Sequence, residues 1–202
     1  MGVSSSSKLP LPPADLASRS LPLRRIQGSL FRVHRSASKW AYFGKCGDGR
    51  FDDPLKRYGV LYAALKPEAA FAEVFLRQLS LMLVLESDLQ ERSLSEITCK
   101  SIHCADLTGS GLRRLSCDNR VSAERPYHTT GCWSRAIFEH TQRPDGIIYL
   151  SRHNPQFRYV ALFERRGRRF TLKSSQGLLS GSCRAWTIRQ IKKYKLAIQP
   201  VT

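Results

Sequence analysis

The sequence predicts a compact α+β domain built around a mixed sheet. Short apolar runs typical of strands recur along the chain, two or three helical segments lie between them, and no internal repeat is visible. The chain has 202 residues, 42% of them hydrophobic and 24% charged. A chain of this length can bury a sizeable core without a disulfide or a metal, so a single domain is the simplest expectation.

The first 28 residues differ from the rest in composition. They are rich in Ser, Pro and Leu, and such sequence buries too little apolar surface to become ordered. We therefore expect a flexible leader over residues 1–28 and a folded domain over residues 29–202. Met1 to Ser6 also fit a short N-myristoylation pattern, which would matter only for a protein delivered into a eukaryotic host cell.

The elements of the domain follow from apolar periodicity and from turn residues. Pro67 suits the first turn of a helix, and the glycines of residues 44–54 mark a loop. The apolar run Leu79–Leu85 is far shorter than the roughly 20 residues that span a bilayer, so it indicates a buried strand and no membrane contact. The expected elements are strands over 29–34 and 59–65, a helix over 68–79, strands over 81–86 and 100–106, a helix over 131–142, strands over 146–151 and 159–164, and a basic amphipathic helix over 184–194.

The net charge of +17 is concentrated near the C-terminus. In the basic segment, residues 156–202, eleven Lys and Arg stand against a single acid, Glu164. Such a field attracts nucleic acid, an acidic protein or a phosphorylated small molecule, and it also favours solubility. Charge alone does not decide among these partners.

The six cysteines predict neither disulfides nor a metal site. No CxxC pair occurs, and no His has finger-like spacing from two cysteines. Cys99 and Cys104 flank His103 but are better explained as buried thiols on neighbouring strands. Thiols stay reduced in the cytosol, and no apolar signal segment follows the N-terminal charges, so we expect a cytoplasmic protein.

Glu73 is an acid in an otherwise apolar helical segment. Its neighbours Ala69–Ala72 and Val74–Leu76 are all hydrophobic, so the helix should be buried. A buried carboxylate must be paired or hydrogen-bonded, or its pKa rises until it is neutral. Two interpretations remain open: a structural ion pair with a core-facing Arg, or a carboxylate held for a substrate hydroxyl or a developing positive charge.

Arg32 and Arg50 are candidate anion-binding residues. Arg32 shares one strand face with Leu30 and His34, so it lies either on a solvated face or in a site where its fork binds phosphate. Arg50 lies among glycines that could let backbone and guanidinium approach a phosphate together. No Walker or GxGxxG signature is present, so a simple hairpin loop is the alternative.

Ser151 ends the most apolar strand of the chain. It is either a strand-terminating Ser or a hydroxyl that orients a ligand, and the absence of a GxSxG elbow argues against a serine-hydrolase nucleophile. Tyr62 and Trp133 are expected in the core, with stacking on an aromatic ligand as the alternative for either.

Together these segments resemble the RES-domain family, which is named for its Arg, Glu and Ser positions. The resemblance covers roughly residues 29–165, and its blocks occur in the expected order and spacing. They are Phe31-Arg32-Val33-His34, then Gly49–Pro54 with Tyr58–Ala64 and Ala69–Val74, then Trp133–Ile137 with Asp145–Arg152.

The resemblance implies a fold related to ADP-ribosyltransferases and an activity that degrades NAD. It makes Arg32, Glu73 and Ser151 the catalytic residues and adds Arg50 and Tyr62 as further pocket positions. NAD is then the substrate, inorganic phosphate is the expected acceptor, and no metal or cofactor is needed. The resemblance further implies a toxin with an acidic helix-turn-helix antitoxin as its partner. The alternatives are a glycohydrolase that uses water, an ADP-ribosyltransferase that modifies a macromolecule, and a nucleic-acid-binding module. The last is disfavoured because such a module has no use for Glu73 in an apolar helix.

Overall fold

The computed structural model describes residues 8–77, 82–167 and 170–200. A 3-10 turn at Leu16–Ser18 precedes the regular elements. In chain order these are β1 (Leu23–Arg35), β2 (Val60–Ala64), α1 (Pro67–Phe75), β3 (Leu83–Leu85), α2 (Glu86–Gln90), β4 (Arg92–Asp106), α3 (Ser110–Arg114), α4 (Arg120–Ala123), α5 (His128–Phe138), β5 (Gly146–Leu150), β6 (Arg158–Phe163), β7 (Phe170–Gly177), α6 (Gly181–Lys193) and β8 (Ala197–Gln199). The predicted α+β class with a mixed sheet is confirmed.

Five strands of the main sheet form a closed ring of pairings. β1 pairs antiparallel with β4 from Leu23↔Ala105 to Arg35↔Arg92, and β1 meets β2 at Phe31↔Ala64. β2 and β5 both pair antiparallel with β6, and β5 pairs parallel with β4. β7 joins the N-terminal half of β4 from outside the ring.

Because successive side chains of a strand point to opposite faces of the sheet, the apolar side chains form two separate cores. On β6, Val160 and Leu162 belong to a core of strand residues from all five members of the ring. Tyr159, Ala161 and Phe163 belong to the larger core, which also contains buried side chains of α1, α5 and α6. The strands that carry candidate site residues therefore belong to a sheet whose two faces are both covered by apolar side chains.

The expectation of a flexible leader over residues 1–28 is wrong for the part that the structure describes. β1 already begins at Leu23, and Leu9, Leu16 and Leu21 are buried. The fully buried Trp133 of α5 donates its indole N–H to the carbonyl of Pro10 at 2.8 Å. The leucines are too widely spaced to show a local period, so only the tertiary fold shows that they are core residues. Residues 1–7, with the myristoylation pattern, lie outside the described residues.

The described part of the apolar run at 79–85 differs from the expected buried strand. β3 covers only Leu83–Leu85 and pairs in parallel with β8 as a separate two-stranded sheet. Val84 is buried, whereas Met82, Leu83 and Leu85 are exposed. The preceding helix ends at Phe75 rather than at residue 79, and residues 78–81 lie outside the described chain.

The other elements agree with the sequence in kind. The predicted strands over 146–151 and 159–164 and the helix over 184–194 match β5, β6 and α6 within three residues. The basic segment is part of the domain, because it contributes β6, β7, α6 and β8. Cys99 and Cys104 are buried as expected, but on the same strand, β4.

In the described residues no cluster of three or more His, Cys, Asp or Glu could hold a metal, and no helix is long and apolar enough to cross a membrane.

Candidate active site

A cavity of about 380 Å³ opens where β1, β2 and α1 meet the loop at 44–52 and the end of β5. The five residues selected from the sequence come from five separate segments, and all of them line this cavity. They are Arg32, Arg50, Tyr62, Glu73 and Ser151. The fold therefore brings together residues that are more than a hundred positions apart in the chain.

Glu73 and Ser151 are in direct contact at the cavity wall. Ser151 directly follows β5 and is only 4% exposed. Its hydroxyl donates a hydrogen bond to Oε2 of Glu73 at 3.3 Å and accepts one from the backbone N–H of His153 at 3.1 Å. The hydroxyl is thus fixed in position by packing on one side and by hydrogen bonds on the other.

The environment of Glu73 distinguishes the two interpretations left open above. Ala69–Ala72 are buried as expected, whereas the Glu73 side chain keeps 27% of its surface exposed and lines the cavity. Its cationic neighbour Arg77 is itself an exposed residue, and the distance from Nη2 of Arg77 to Oε1 is a long 3.5 Å. A tight ion pair with a core-facing Arg is therefore absent from the described residues, and the carboxylate remains available to a ligand.

Burial dominates the electrostatics of this carboxylate. It raises the pKa of Glu73 above the ordinary value, and the opposing effects of Arg77, the Ser151 hydrogen bond and Arg50 are smaller. A group held in this way takes up a proton at a higher pH than an exposed glutamate does. The nearby arginines still favour the charged form, which is the form that could stabilise a developing positive charge.

Arg32 lines the cavity and is partly buried rather than lying on a fully solvated face. Its Nη1 donates to the carbonyls of Trp40 and Tyr42 at 3.2 and 3.0 Å, and burial lowers the pKa of the guanidinium. Within the described chain no carboxylate lies within 4 Å of it to form a salt bridge. The charge is therefore oriented by neutral carbonyls and available to an anion.

Arg50 is less exposed than Arg32 and is held by a carbonyl and an aromatic ring. It is 8% exposed, its Nη1 donates to the carbonyl of Glu124 at 3.0 Å, and its guanidinium lies 4.7 Å from the centre of the Tyr127 ring. Burial lowers the pKa of Arg50 as well. A guanidinium fixed by stacking and by a carbonyl loses little entropy when it binds a phosphate.

Tyr62 acts on the glycine loop through its hydroxyl. This hydroxyl donates to Oδ1 of Asp52 and accepts from the backbone N–H of Phe51, both at 2.8 Å. A Cβ on Gly49 would lie 2.5 Å from the Tyr62 hydroxyl, so only glycine allows this approach. Tyr62 thus holds the loop that carries Arg50, while Trp133 is a core residue, as expected.

Further residues that line the cavity were not predicted from the sequence. They are Arg77, Arg125, Tyr127, Tyr149, Arg152 and His153, among others. None of them interrupts an apolar pattern, so no local signal distinguishes them from ordinary surface or core residues. Among the described residues, five arginines line the cavity, against three carboxylates, those of Asp48, Asp52 and Glu73.

The chain also matches a known protein family over most of its length. The family model described as the RES domain matches residues 23–185. This chain belongs to the RES-domain family. The match begins with β1 and extends into α6, so the RES domain here includes much of the basic segment that lay beyond the sequence resemblance.

Two individual proteins are similar to this RES-domain chain, one in sequence and one in structure. "Probable toxin y4kH" of Sinorhizobium fredii (strain NBRC 101917 / NGR234) is 35% identical over 92 residues, which cover 43% of this chain and 72% of that protein. A chain in the crystal structure of the M. tuberculosis MbcT–MbcA toxin–antitoxin complex superimposes with a TM-score of 0.68 and 16% identity, over 89% of this chain and 98% of that chain. At that identity the structural match supports the fold alone.

Proposed function

We propose that this RES-domain chain consumes NAD by breaking its nicotinamide–ribose bond, with inorganic phosphate as the acceptor. The observation that carries the proposal is the hydrogen-bonded pair of Ser151 and Glu73 in a cavity lined by arginines. The family resemblance supplies the reaction, and the cavity supplies a carboxylate, a fixed hydroxyl and cationic groups suited to it.

In this reaction the bond from C1″ of the ribose to nicotinamide breaks, and its electron pair leaves with the neutral nicotinamide. The ribose becomes oxocarbenium-like, and a phosphate oxygen forms the new bond to C1″, which gives ADP-ribose 1″-phosphate. Glu73 accepts a hydrogen bond from the ribose 2″-hydroxyl and stabilises the charge as it develops, which is preferential binding of the transition state. Ser151 orients the ribose, and Arg32 and Arg50 bind phosphate groups.

We also propose that the chain acts as a toxin with an antitoxin partner. The names of the two relatives support this part of the proposal. A net charge of +17 would favour rapid, salt-sensitive association with an acidic partner. Expression without the partner should then arrest growth and lower cellular NAD, whereas growth arrest with unchanged NAD would contradict the proposed mechanism.

The deciding experiment is incubation of the purified protein with NAD, with and without inorganic phosphate. We expect nicotinamide release that depends on phosphate, and ADP-ribose 1″-phosphate as the second product, identified by mass spectrometry and ³¹P NMR. ADP-ribose formed equally well without phosphate would identify a glycohydrolase. NAD that is stable under both conditions would contradict the proposal.

Acidification should lower the rate of NAD loss through protonation of Glu73. Because burial raises the pKa of Glu73 above its ordinary value of 4.5, the neutral form gains population at a pH where an exposed glutamate is still ionised. Activity is therefore expected above the raised pKa and lost as the pH falls through it. The measurement is kcat/KM for NAD as a function of pH, and an acidic limb at or below 4.5 would contradict the assignment.

Ser151→Ala should slow NAD loss while leaving the fold intact. The variant loses one hydrogen bond to Glu73 or to the ribose, worth about 1 kcal/mol and therefore several-fold in rate; a larger loss is expected if the hydroxyl also positions the acceptor. NAD turnover and the melting temperature should be measured on the same sample. Unchanged turnover with a lowered melting temperature would make Ser151 a structural strand-end residue.

A further inference from the structure

A second cavity of about 310 Å³ adjoins the candidate active site. The two cavities share five lining residues, among them Arg32 and Arg77. Beyond these, the second cavity is lined by residues of β1 and the segment after it, such as Arg35 and Ser38, and by Arg92 at the start of β4. The two cavities are therefore neighbours, separated by no more than the side chains that line both of them.

Among the described residues, four arginines and no carboxylate line this second cavity: Arg32, Arg35, Arg77 and Arg92. Two of the four have acidic neighbours outside the lining, since Arg92 pairs with Asp88 at 3.1 Å and Arg77 lies 3.5 Å from Glu73. In the part of the chain that the structure describes, Arg32 and Arg35 form no salt bridge. The cavity thus holds an excess of positive charge that its own residues do not neutralise.

The hydrogen-bonding groups of the second cavity also favour an anion. Nε of Arg92 is buried without a hydrogen-bond partner among the described residues, so it is a donor that lacks an acceptor. His34, in contrast, is already occupied, because its Nδ1 and Nε2 lie 2.9 and 2.8 Å from the carbonyl of Arg35 and the hydroxyl of Ser95. The available groups are therefore guanidinium donors, which match the several acceptor oxygens of a phosphate.

We propose that the second cavity is a phosphate-binding subsite next to the reaction site. The phosphate has two chemical sources: free inorganic phosphate, or the 2′-phosphate on the adenosine ribose of a phosphorylated dinucleotide such as NADP. Either source fits the site, since the cavity of about 310 Å³ exceeds the size of one phosphate group and shares lining residues with the first cavity. The catalytic meaning of the subsite rests on the proposed function, but phosphate binding itself does not.

Arg35 is the residue with which to test the subsite. It is exposed, it lines only the second cavity and it belongs to none of the proposed catalytic groups. Arg25 offers a matched control, because it is another exposed arginine of β1 but lines neither cavity. The Arg35→Ala and Arg25→Ala variants remove the same charge from the same strand.

Two measurements on the full chain test the proposal. In a calorimetric titration with inorganic phosphate, the affinity should fall roughly tenfold in Arg35→Ala, as expected for the loss of a charge-assisted hydrogen bond. It should change little in Arg25→Ala. The ratio of kcat/KM for NADP to that for NAD identifies the source. If this ratio favours NADP in the wild type and falls about tenfold in Arg35→Ala, the source is the dinucleotide. If Arg35→Ala weakens phosphate binding but leaves the ratio unchanged, the source is free phosphate.

Other outcomes would overturn one proposal or the other. Equal phosphate affinity in all three proteins, with an unchanged ratio, would eliminate the subsite. An equal loss for NAD and NADP without any change in phosphate binding would also eliminate it, because the cavity would then hold a part common to both molecules. Phosphate binding that depends on Arg35 in a protein that cleaves neither dinucleotide would support the subsite and contradict the proposed function.

Discussion

Replacement of Glu73 by Gln is expected to lower the rate of NAD loss by roughly a hundred- to a thousand-fold. The amide keeps the shape of the side chain and can still accept the hydrogen bond of Ser151, but it carries no charge to stabilise the oxocarbenium-like ribose. Removal of a single preorganised group that binds the transition state costs about this much in other enzymes. The measurement is single-turnover loss of NAD, which separates the chemical step from product release.

Glu68→Gln is the matched control for this prediction. Glu68 lies in the first turn of the same helix, α1, and lines neither cavity. The same substitution there should leave turnover unchanged. A folded Glu73→Gln variant that consumes NAD within twofold of the wild-type rate would exclude Glu73 from catalysis.

Trp133→Ala is expected to cause the largest loss of stability, about 3–5 kcal/mol of the free energy of unfolding. Trp133 is fully buried, and its indole N–H holds the carbonyl of Pro10, so the variant leaves a cavity and releases an anchor of the N-terminal segment. Denaturant unfolding gives the free energy. Trp133→Phe keeps most of the packing but lacks the N–H donor, and it should therefore lose substantially less stability.

The outcome of this pair also tests how the N-terminal segment is held. A loss of less than about 1 kcal/mol for Trp133→Ala, the size of a single hydrogen bond, would contradict the prediction and show that the contact between Trp133 and Pro10 contributes little to stability. A second link joins this segment to the site. The carboxylate of Glu124 accepts from the backbone N–H of Leu9 at 2.6 Å, while its carbonyl holds Arg50.

Candidate residues were found from sequence where they conflict with their local pattern. Glu73 interrupts an apolar helix and Ser151 ends an apolar strand, so each conflict is visible without knowledge of the fold. Arg77 and Arg125 are exposed arginines, and only the tertiary structure places them at the cavity. The sequence could therefore identify a carboxylate and a hydroxyl, but not the full number of cations around them.

The N-terminal half of β4 and the whole of β7 were not predicted from the sequence, because they have polar side chains where apolar ones would be expected. In the N-terminal half of β4 the buried positions include Ser93 and Ser95, which hide the alternation. The buried hydroxyl of Ser95 is satisfied by a hydrogen bond to Ser175 of β7 at 2.9 Å, a contact between residues 80 positions apart. β7 itself is exposed over most of its length, so it shows no apolar period.

Closure of the five-stranded ring has a consequence for self-association. A strand at the edge of a sheet presents unpaired N–H and C=O groups to any other chain, and in the described part of the main sheet β7 is the strand with a single neighbour. Its exposed residues are mostly polar and include Lys173. The open edge of the main sheet is therefore mostly polar, which disfavours pairing with an edge strand of another copy, and the positive charge on each molecule further opposes such pairing.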